Sequence, residues 1–335
     1  KLSEKGSWRV LSANDGEGNC GKYSKKGRLI MTNVNMRGSK GREKGFYFQT
    51  RLTEAIMSLP NIFPGFYSYE LDKNVFCESI GKMSRDKIDN IIVDDLGVKL
   101  KVSAKCPGSL DSIQMAAFAM ERQLRFLESA TGRPVPKVFK DYCYAFFGHA
   151  VYEEWMKAND ACGVDASKLS KGDGSKDDKS ETRRQRTLLS NIADSVQQEV
   201  KSYLDLPDVR RAFVEMQLIS GFTGRRADCQ IWHPAPTKGN IDFDSNNFYY
   251  VDQNAMYEEC QKWEWELGES TINFGPLNWK VRGGGGPKCT PTHDGYHGAQ
   301  CFSGISKLQE HLGDTDAFLK GSFPEVVKYA FERKK

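Results

Sequence analysis

Residues 86–108 read Asp-Lys-Ile-Asp-Asn-Ile-Ile-Val-Asp-Asp-Leu-Gly-Val-Lys-Leu-Lys-Val-Ser-Ala-Lys-Cys-Pro-Gly. Two amphipathic segments of strand length, 88–93 and 98–104, flank the turn sequence Asp94-Asp95-Leu96-Gly97, so the segment predicts a β-hairpin. An acid stands at the head of the first strand and Lys105 at the end of the second. Opposed strand ends bring a carboxylate and an ammonium within a few ångströms of one another. A carboxylate so placed binds Mg²⁺, which polarises a phosphodiester and acidifies a water. The ammonium orients that water or offsets the developing negative charge. A simple turn pairing Asp94 with Gly97 puts Asp86 on the face of Ser103 and Lys105; a one-residue bulge near Gly97 puts Asp89 there instead.

Upstream, residues 49–59 place Leu52, Ala55, Ile56 and Leu59 at helical spacing before Pro60, and residues 66–71 alternate as a strand. Downstream, residues 109–130 predict a helix capped by Ser109 or Asp111, with Ile113, Ala117, Met120, Leu124 and Leu127 as its apolar stripe and Gly132 as its stop. Residues 138–147, Val-Phe-Lys-Asp-Tyr-Cys-Tyr-Ala-Phe-Phe, read as a buried central strand. That order of helices and strands predicts an α/β fold with a mixed β-sheet core flanked by helices. Residues 165–187 are a polar loop, and residues 188–220 read as helix broken at Pro207. From about Arg225 short aromatic strands follow (229–232, 248–251 and 263–267), interrupted by the glycines 283–286. The expected organisation is a basic N-terminal arm over 1–45, a core with helical support over 46–225, and a β-rich C-terminal subdomain over 226–335 for recognition or dimerisation.

The 335 residues carry Lys+Arg 48 against Asp+Glu 44, a formal +4. Residues 1–45 hold eleven basic and four acidic residues, a local +7 that leaves −3 for the remainder. Lys40 and Arg42 in this arm are candidate phosphate contacts on a nucleic acid. Hydrophobic content of 39% is enough for a core, which excludes wholesale disorder. No apolar run approaches the roughly 18–20 residues of a membrane-spanning helix, and no apolar stretch near Lys1 resembles a signal peptide. Nine scattered cysteines, an odd number, read as reduced, buried thiols of a cytoplasmic protein.

An acid, a short glycine turn and a strand-terminal lysine are how many nucleases hold their metal. On these residues the sequence resembles the PD-(D/E)XK nuclease superfamily, and within it the type II restriction endonucleases, over roughly residues 50–150. The resemblance implies a restriction-endonuclease-like fold, a Mg²⁺-dependent site-specific double-stranded DNA endonuclease, and a homodimer on a two-fold target. It gives Asp89 the role of first metal-binding acid, with Asp86 in reserve, and Lys105 that of the motif lysine. The family expects Asp or Glu two residues before the lysine, where this chain has Ser103. Some members place serine there and take the second carboxylate from the following helix, which implies Glu121, with Glu54 or Glu78 as alternatives. Residues 114–122, Gln-Met-Ala-Ala-Phe-Ala-Met-Glu-Arg, look like a recognition-side helix, on which Gln114, Arg122 and Arg125 would meet base edges. Residues 213–226 resemble a Glu…Gly-rich stretch of other restriction enzymes.

Cys289, His293, His297 and Cys301 recur every four residues and are a candidate Zn²⁺ set; Cys229 with His233 is a weaker one. Arg183, Arg184 and Arg186 form a basic cluster, and Trp263 with Trp265 reads as core or interface. Two other functions fit these features: a non-catalytic nucleic-acid-binding protein with a degenerate nuclease core, and a zinc-stabilised structural or interaction protein.

Overall fold

A computed structural model of the chain describes residues 40–71, 74–107, 114–147, 152–164, 192–234, 241–268, 272–281, 299–303, 306–312 and 316–334. All but Lys40 belong to a unit spanning Gly41–Lys335. Helix α1 (Lys40–Ser58) begins inside the segment expected as an arm and stops just before Pro60. Strands β1 (Tyr67–Glu70), β2 (Asn74–Cys77), β3 (Lys82–Arg85), β4 (Asn90–Val93), β5 (Lys99–Lys105) and β6 (Gln114–Ala119) follow. Helices α2 (Met120–Thr131), α3 (Lys137–Phe147), α4 (Tyr152–Ala161), α5 (Asp194–Leu204) and α6 (Pro207–Val214) come next. The remainder is β7 (Cys229–Trp232), β8 (Phe248–Asp252), α7 (Gln253–Cys260), β9 (Trp265–Leu267), β10 (Ile272–Phe274), β11 (Leu277–Val281), β12 (Ala299–Ser303), α8 (Ser306–Leu312), β13 (Phe318–Gly321) and α9 (Phe323–Lys334).

The fold is α/β. A six-stranded sheet runs β1-β4-β5-β7-β8-β13, antiparallel throughout except for the parallel pair β5/β7. Strand alternation sends Val102, Ala104, Cys229, Ile231, Phe248 and Tyr250 to one face, where they pack with Phe48, Leu52 and Ile56 of α1 and Phe323, Val326 and Val327 of α9. Trp232, Tyr249 and Val251 point to the other face and join the larger core built with the helices of residues 120–214. The mixed sheet is therefore flanked by helices on both faces. A second, antiparallel sheet runs β6-β12-β11-β10-β9, and β2 with β3 forms a separate hairpin. Strands from 226–335 thus enter both sheets: β7, β8 and β13 lie beside β1, β4 and β5, and β12 pairs with β6. The segments expected as core and subdomain interleave.

Two local expectations are corrected. Residues 114–119 are strand rather than the start of a helix, because β12 offers them a partner, with Met115 opposite Phe302 and Phe118 opposite Gln300. The helix there starts only at Met120, with Met120, Leu124 and Leu127 buried as the stripe requires. Residues 138–147 are helix α3 rather than a central strand. Its buried positions Phe139, Tyr142, Cys143 and Phe146 recur at three and four residues, while Lys137 and Asp141 pair on the other side. The loop 165–187 and the arginines within it lie outside the described residues.

The β4–β5 turn sets the register on which the site depends. Asp94 Oδ1 accepts hydrogen bonds from the Leu96 and Val98 amides at 3.0 and 2.7 Å, and Gly97 adopts φ 81°. This left-handed glycine adds the one residue that pairs Asp94 with Val98 instead of Gly97. A Cβ at Gly97 meets nothing within 4 Å, so Gly97→Ala is opposed only by its backbone conformation. The expected loss is about 1–2 kcal/mol of unfolding free energy, measured by denaturant titration.

Candidate active site

With that register Asp89 stands opposite Ser103, its amide donating to Val102 O at 2.8 Å. The Asp89 side chain is buried, yet every oxygen has a donor. Oδ1 accepts from Gln49 Nε2 of α1 at 2.7 Å; Oδ2 accepts from the Ala104 amide at 2.8 Å and from Ser103 Oγ at 3.3 Å. Lys105 Nζ lies 3.5 Å from Oδ2 and donates to Ser103 Oγ at 2.9 Å. Arg85 Nη2, at the end of β3, lies 3.9 Å from Oδ1 and donates to Gln49 Oε1 at 3.3 Å. Carboxylate, hydroxyl and ammonium therefore meet at the ends of adjacent strands, with a guanidinium closing the fourth side. Lys87, two residues before Asp89, donates to Gln217 O at 3.2 Å. Its ammonium is pushed down to about 7, first by burial and then by repulsion from Lys105, against the pull of Asp89 and Glu215.

Of the two aspartates open from the sequence, the one that meets Lys105 is Asp89. Asp86 is buried elsewhere: its Oδ1 accepts from the Ile88 amide and its Oδ2 pairs with Arg225 Nη1 at 3.3 Å. The other expected acids stand apart from this cluster. Glu121 is exposed in the first turn of α2 and its charge acts on Tyr144, whose phenol is pushed up to about 12, chiefly by burial. Glu54 pairs with Arg51 on the exposed side of α1, and Glu78 is exposed in a short turn. Glu215, in the stretch 213–226, pairs with Arg226 at 2.6 Å and flanks Lys87. Gln114 is a strand residue opposite Ser303, so it shares no helix face with Glu121. Arg122 is half-buried and Arg125 exposed on α2. The side chains of Gln114, Lys40 and Arg42 lie outside the described residues.

Among the described residues no group of three His, Cys, Asp or Glu side chains is placed to cage a metal ion. The donor set at Asp89 fits a hard divalent cation of another kind, since Mg²⁺ is commonly held by one or two carboxylates and completed by water and substrate phosphate. Asp89 and the Ser103 hydroxyl are the groups that would hold it. The candidate zinc residues Cys289, His293 and His297 lie outside the described residues, as does the side chain of Cys301. Cys229 is a buried thiol held well above the usual range by burial, on the sheet face packed by α1 and α9. The described cysteines Cys77, Cys143, Cys162, Cys229 and Cys260 are buried free thiols. Among the described residues no helix is long and apolar enough to cross a membrane.

His233 continues the β5/β7 ladder, its amide donating to Lys105 O at 2.9 Å. Its ring lies stacked near Phe248 at 4.3 Å and Phe48 at 6.1 Å, with Nδ1 3.2 Å from Asn247 O. Burial lowers its pKa below 6.5, against the smaller pull of that carbonyl and of Asp242. The unfolded chain therefore takes up a proton that the folded ring resists, and unfolding free energy falls as pH drops through 6.5. His233→Phe, which keeps the stack, is expected to flatten this acid limb in denaturant titrations repeated across pH.

Arg85 and Lys87 have no signal as site residues in the sequence beyond their proximity to the hairpin, and Gln49 has none, reaching Asp89 across 40 residues of chain. No protein-family model and no curated protein matches the sequence. Among solved structures the chain is similar to the crystal structure of restriction endonuclease MspI in complex with its cognate DNA. That likeness has a TM-score of 0.39 and 10% sequence identity, covering 79% of this chain and 91% of the other.

Proposed function

We propose that this chain is a Mg²⁺-dependent deoxyribonuclease of the type II restriction endonuclease kind, cutting double-stranded DNA at a specific sequence as a homodimer. The observation that carries the reading is the meeting of Asp89, Ser103 and Lys105 at two adjacent strand ends. Asp89 and Ser103 would hold Mg²⁺, which when bound polarises the scissile phosphate and acidifies a water. Lys105 is held in place by Ser103 Oγ and Ala104 O, so its ammonium is fixed before substrate arrives. There it offsets the negative charge that grows on the phosphoryl oxygens in the transition state. Gln49 and the Ala104 amide fix the carboxylate plane, and Arg85 adds a second positive charge beside it. Two positive charges beside one carboxylate favour an incoming phosphodiester.

The test is incubation with mixed-sequence double-stranded DNA and Mg²⁺, followed by mapping of the ends. Cuts at one recurring sequence, abolished by EDTA, support the proposal; intact DNA at stoichiometric protein sinks it. A second reading, a non-catalytic DNA-binding protein, is favoured by one observation, serine at position 103 where a second acid would stand. It predicts a retarded band without cleavage in the same tubes.

A further inference from the structure

The sheet that ends in the Asp89–Ser103 rung extends away from it toward the β1 edge. Tyr69 stands opposite Ile91, and Ile91 opposite Lys101; one rung further, Tyr67 stands opposite Val93, and Val93 opposite Lys99. Residues two apart along a strand share a face, so two tyrosines and two lysines flank β4 on the side that carries Ser103 and Lys105. Ile91 and Val93 between them are buried, whereas Tyr67 is 46% and Tyr69 37% exposed. The two rings lie within 20° of parallel with centroids 6.4 Å apart, about twice the ~3.4 Å separation of stacked bases. Lys99 and Lys101 are exposed, and among the described residues neither is in an ion pair. Asp228 beside this face is already engaged, its Oδ2 accepting from the Lys101 amide and pairing with Lys334 Nζ.

Exposed aromatic rings lined by lysines are what a single nucleic-acid strand requires: every base has a face to stack, and every phosphate a charge to meet. We propose that this face binds one DNA strand unpaired, its bases against Tyr67 and Tyr69 and its backbone along Lys99 and Lys101. The adjoining phosphodiester then reaches Asp89 and Lys105. The inference rests on the nuclease reading and adds to it that the nucleotides flanking the scissile bond are unpaired when bound.

The test is fluorescence anisotropy with a short fluorescein-labelled single-stranded DNA of mixed sequence, in EDTA so that nothing is cut. Replacing both tyrosines (Tyr67→Ala with Tyr69→Ala) is expected to weaken binding about 10–100-fold, the loss of one or two stacked bases. Tyr67→Phe with Tyr69→Phe retains binding, because the rings remain. Lys99→Ala with Lys101→Ala flattens the dependence of log affinity on log salt by about 1.4, two single-strand phosphate contacts. Unchanged affinity in the folded double alanine variant, checked by circular dichroism, overturns the proposal. So does a wild-type protein that cuts duplex DNA yet does not bind the strand, an outcome that leaves the nuclease reading intact. A tyrosine-dependent dimer seen by sedimentation without DNA also overturns it, by assigning the face to a second copy of the chain. Strand binding without any cleavage supports the face while removing the nuclease reading.

Discussion

On the proposed function, Lys105→Ala is expected to lower Mg²⁺-dependent nicking of supercoiled plasmid by about 10²–10³-fold, the usual consequence of deleting one fixed charge donor at a developing oxyanion. The expectation follows from how tightly the amine is held. It lies 3.5 Å from Asp89 Oδ2, bonds Ser103 Oγ at 2.9 Å, and its side chain is only 25% exposed. Asp89 keeps Gln49, Ser103 and the Ala104 amide when the lysine goes, so the fold tolerates the change. Loss of cleavage is then a loss of chemistry, and gel-shift affinity for DNA in EDTA is expected to fall far less than the rate. Asp89→Asn is expected to be as damaging, because it removes the carboxylate that faces Lys105 while matching its shape. A Lys105→Ala protein that nicks at the wild-type rate removes this lysine from the mechanism.

Phe248→Ala lowers unfolding free energy by about 3–5 kcal/mol, read from denaturant titration. Phe248 is fully buried on the sheet face covered by α1 and α9, with ring neighbours Phe323 at 5.3 Å, Phe243 at 5.4 Å, Phe48 at 6.4 Å and His233 at 4.3 Å. Truncation opens a cavity that ties together three elements, and rigid sheet backbone on one side limits its collapse. The same α1 delivers Gln49 to Asp89, so cleavage is expected to weaken along with stability. Phe248→Leu, which refills most of the volume, is expected to recover more than half of both losses. A Phe248→Ala loss below about 1 kcal/mol would show that this face repacks freely.

What was legible in the sequence was what is local. The β4–β5 hairpin announces itself by two strand-length segments around the turn Asp94-Asp95-Leu96-Gly97, and it carries Asp89, Ser103 and Lys105 within a single stretch. Even the register ambiguity between Asp86 and Asp89 turned on one nearby residue, Gly97. Residues 114–119 read as helix in the sequence because Met-Ala-Ala-Phe-Ala has no alternation of its own; the partner strand β12, far along the chain, decides its state. Residues 138–147 are mostly apolar over a length that suits either element, and the spacing of Phe139, Tyr142, Cys143 and Phe146 around Lys140 and Asp141 is the signal of the helix. Gln49 and Arg85 reach Asp89 from α1 and from the β2–β3 hairpin, contacts created by packing rather than by spacing. The same is true of the interleaved sheets, since β5 finds β7 only after a long excursion.

That excursion governs how the polypeptide is made. The Lys101 amide and its acceptor Asp228 are 127 residues apart, and the strand bearing Lys105 has no neighbour on that side until β7 arrives. During synthesis β5 is a raw edge, open to mispairing while the intervening helices emerge from the ribosome. A product truncated before residue 229 keeps the whole hairpin that carries Asp89 and Lys105 yet leaves it as an unprotected border, and such a fragment is expected to collect in inclusion bodies.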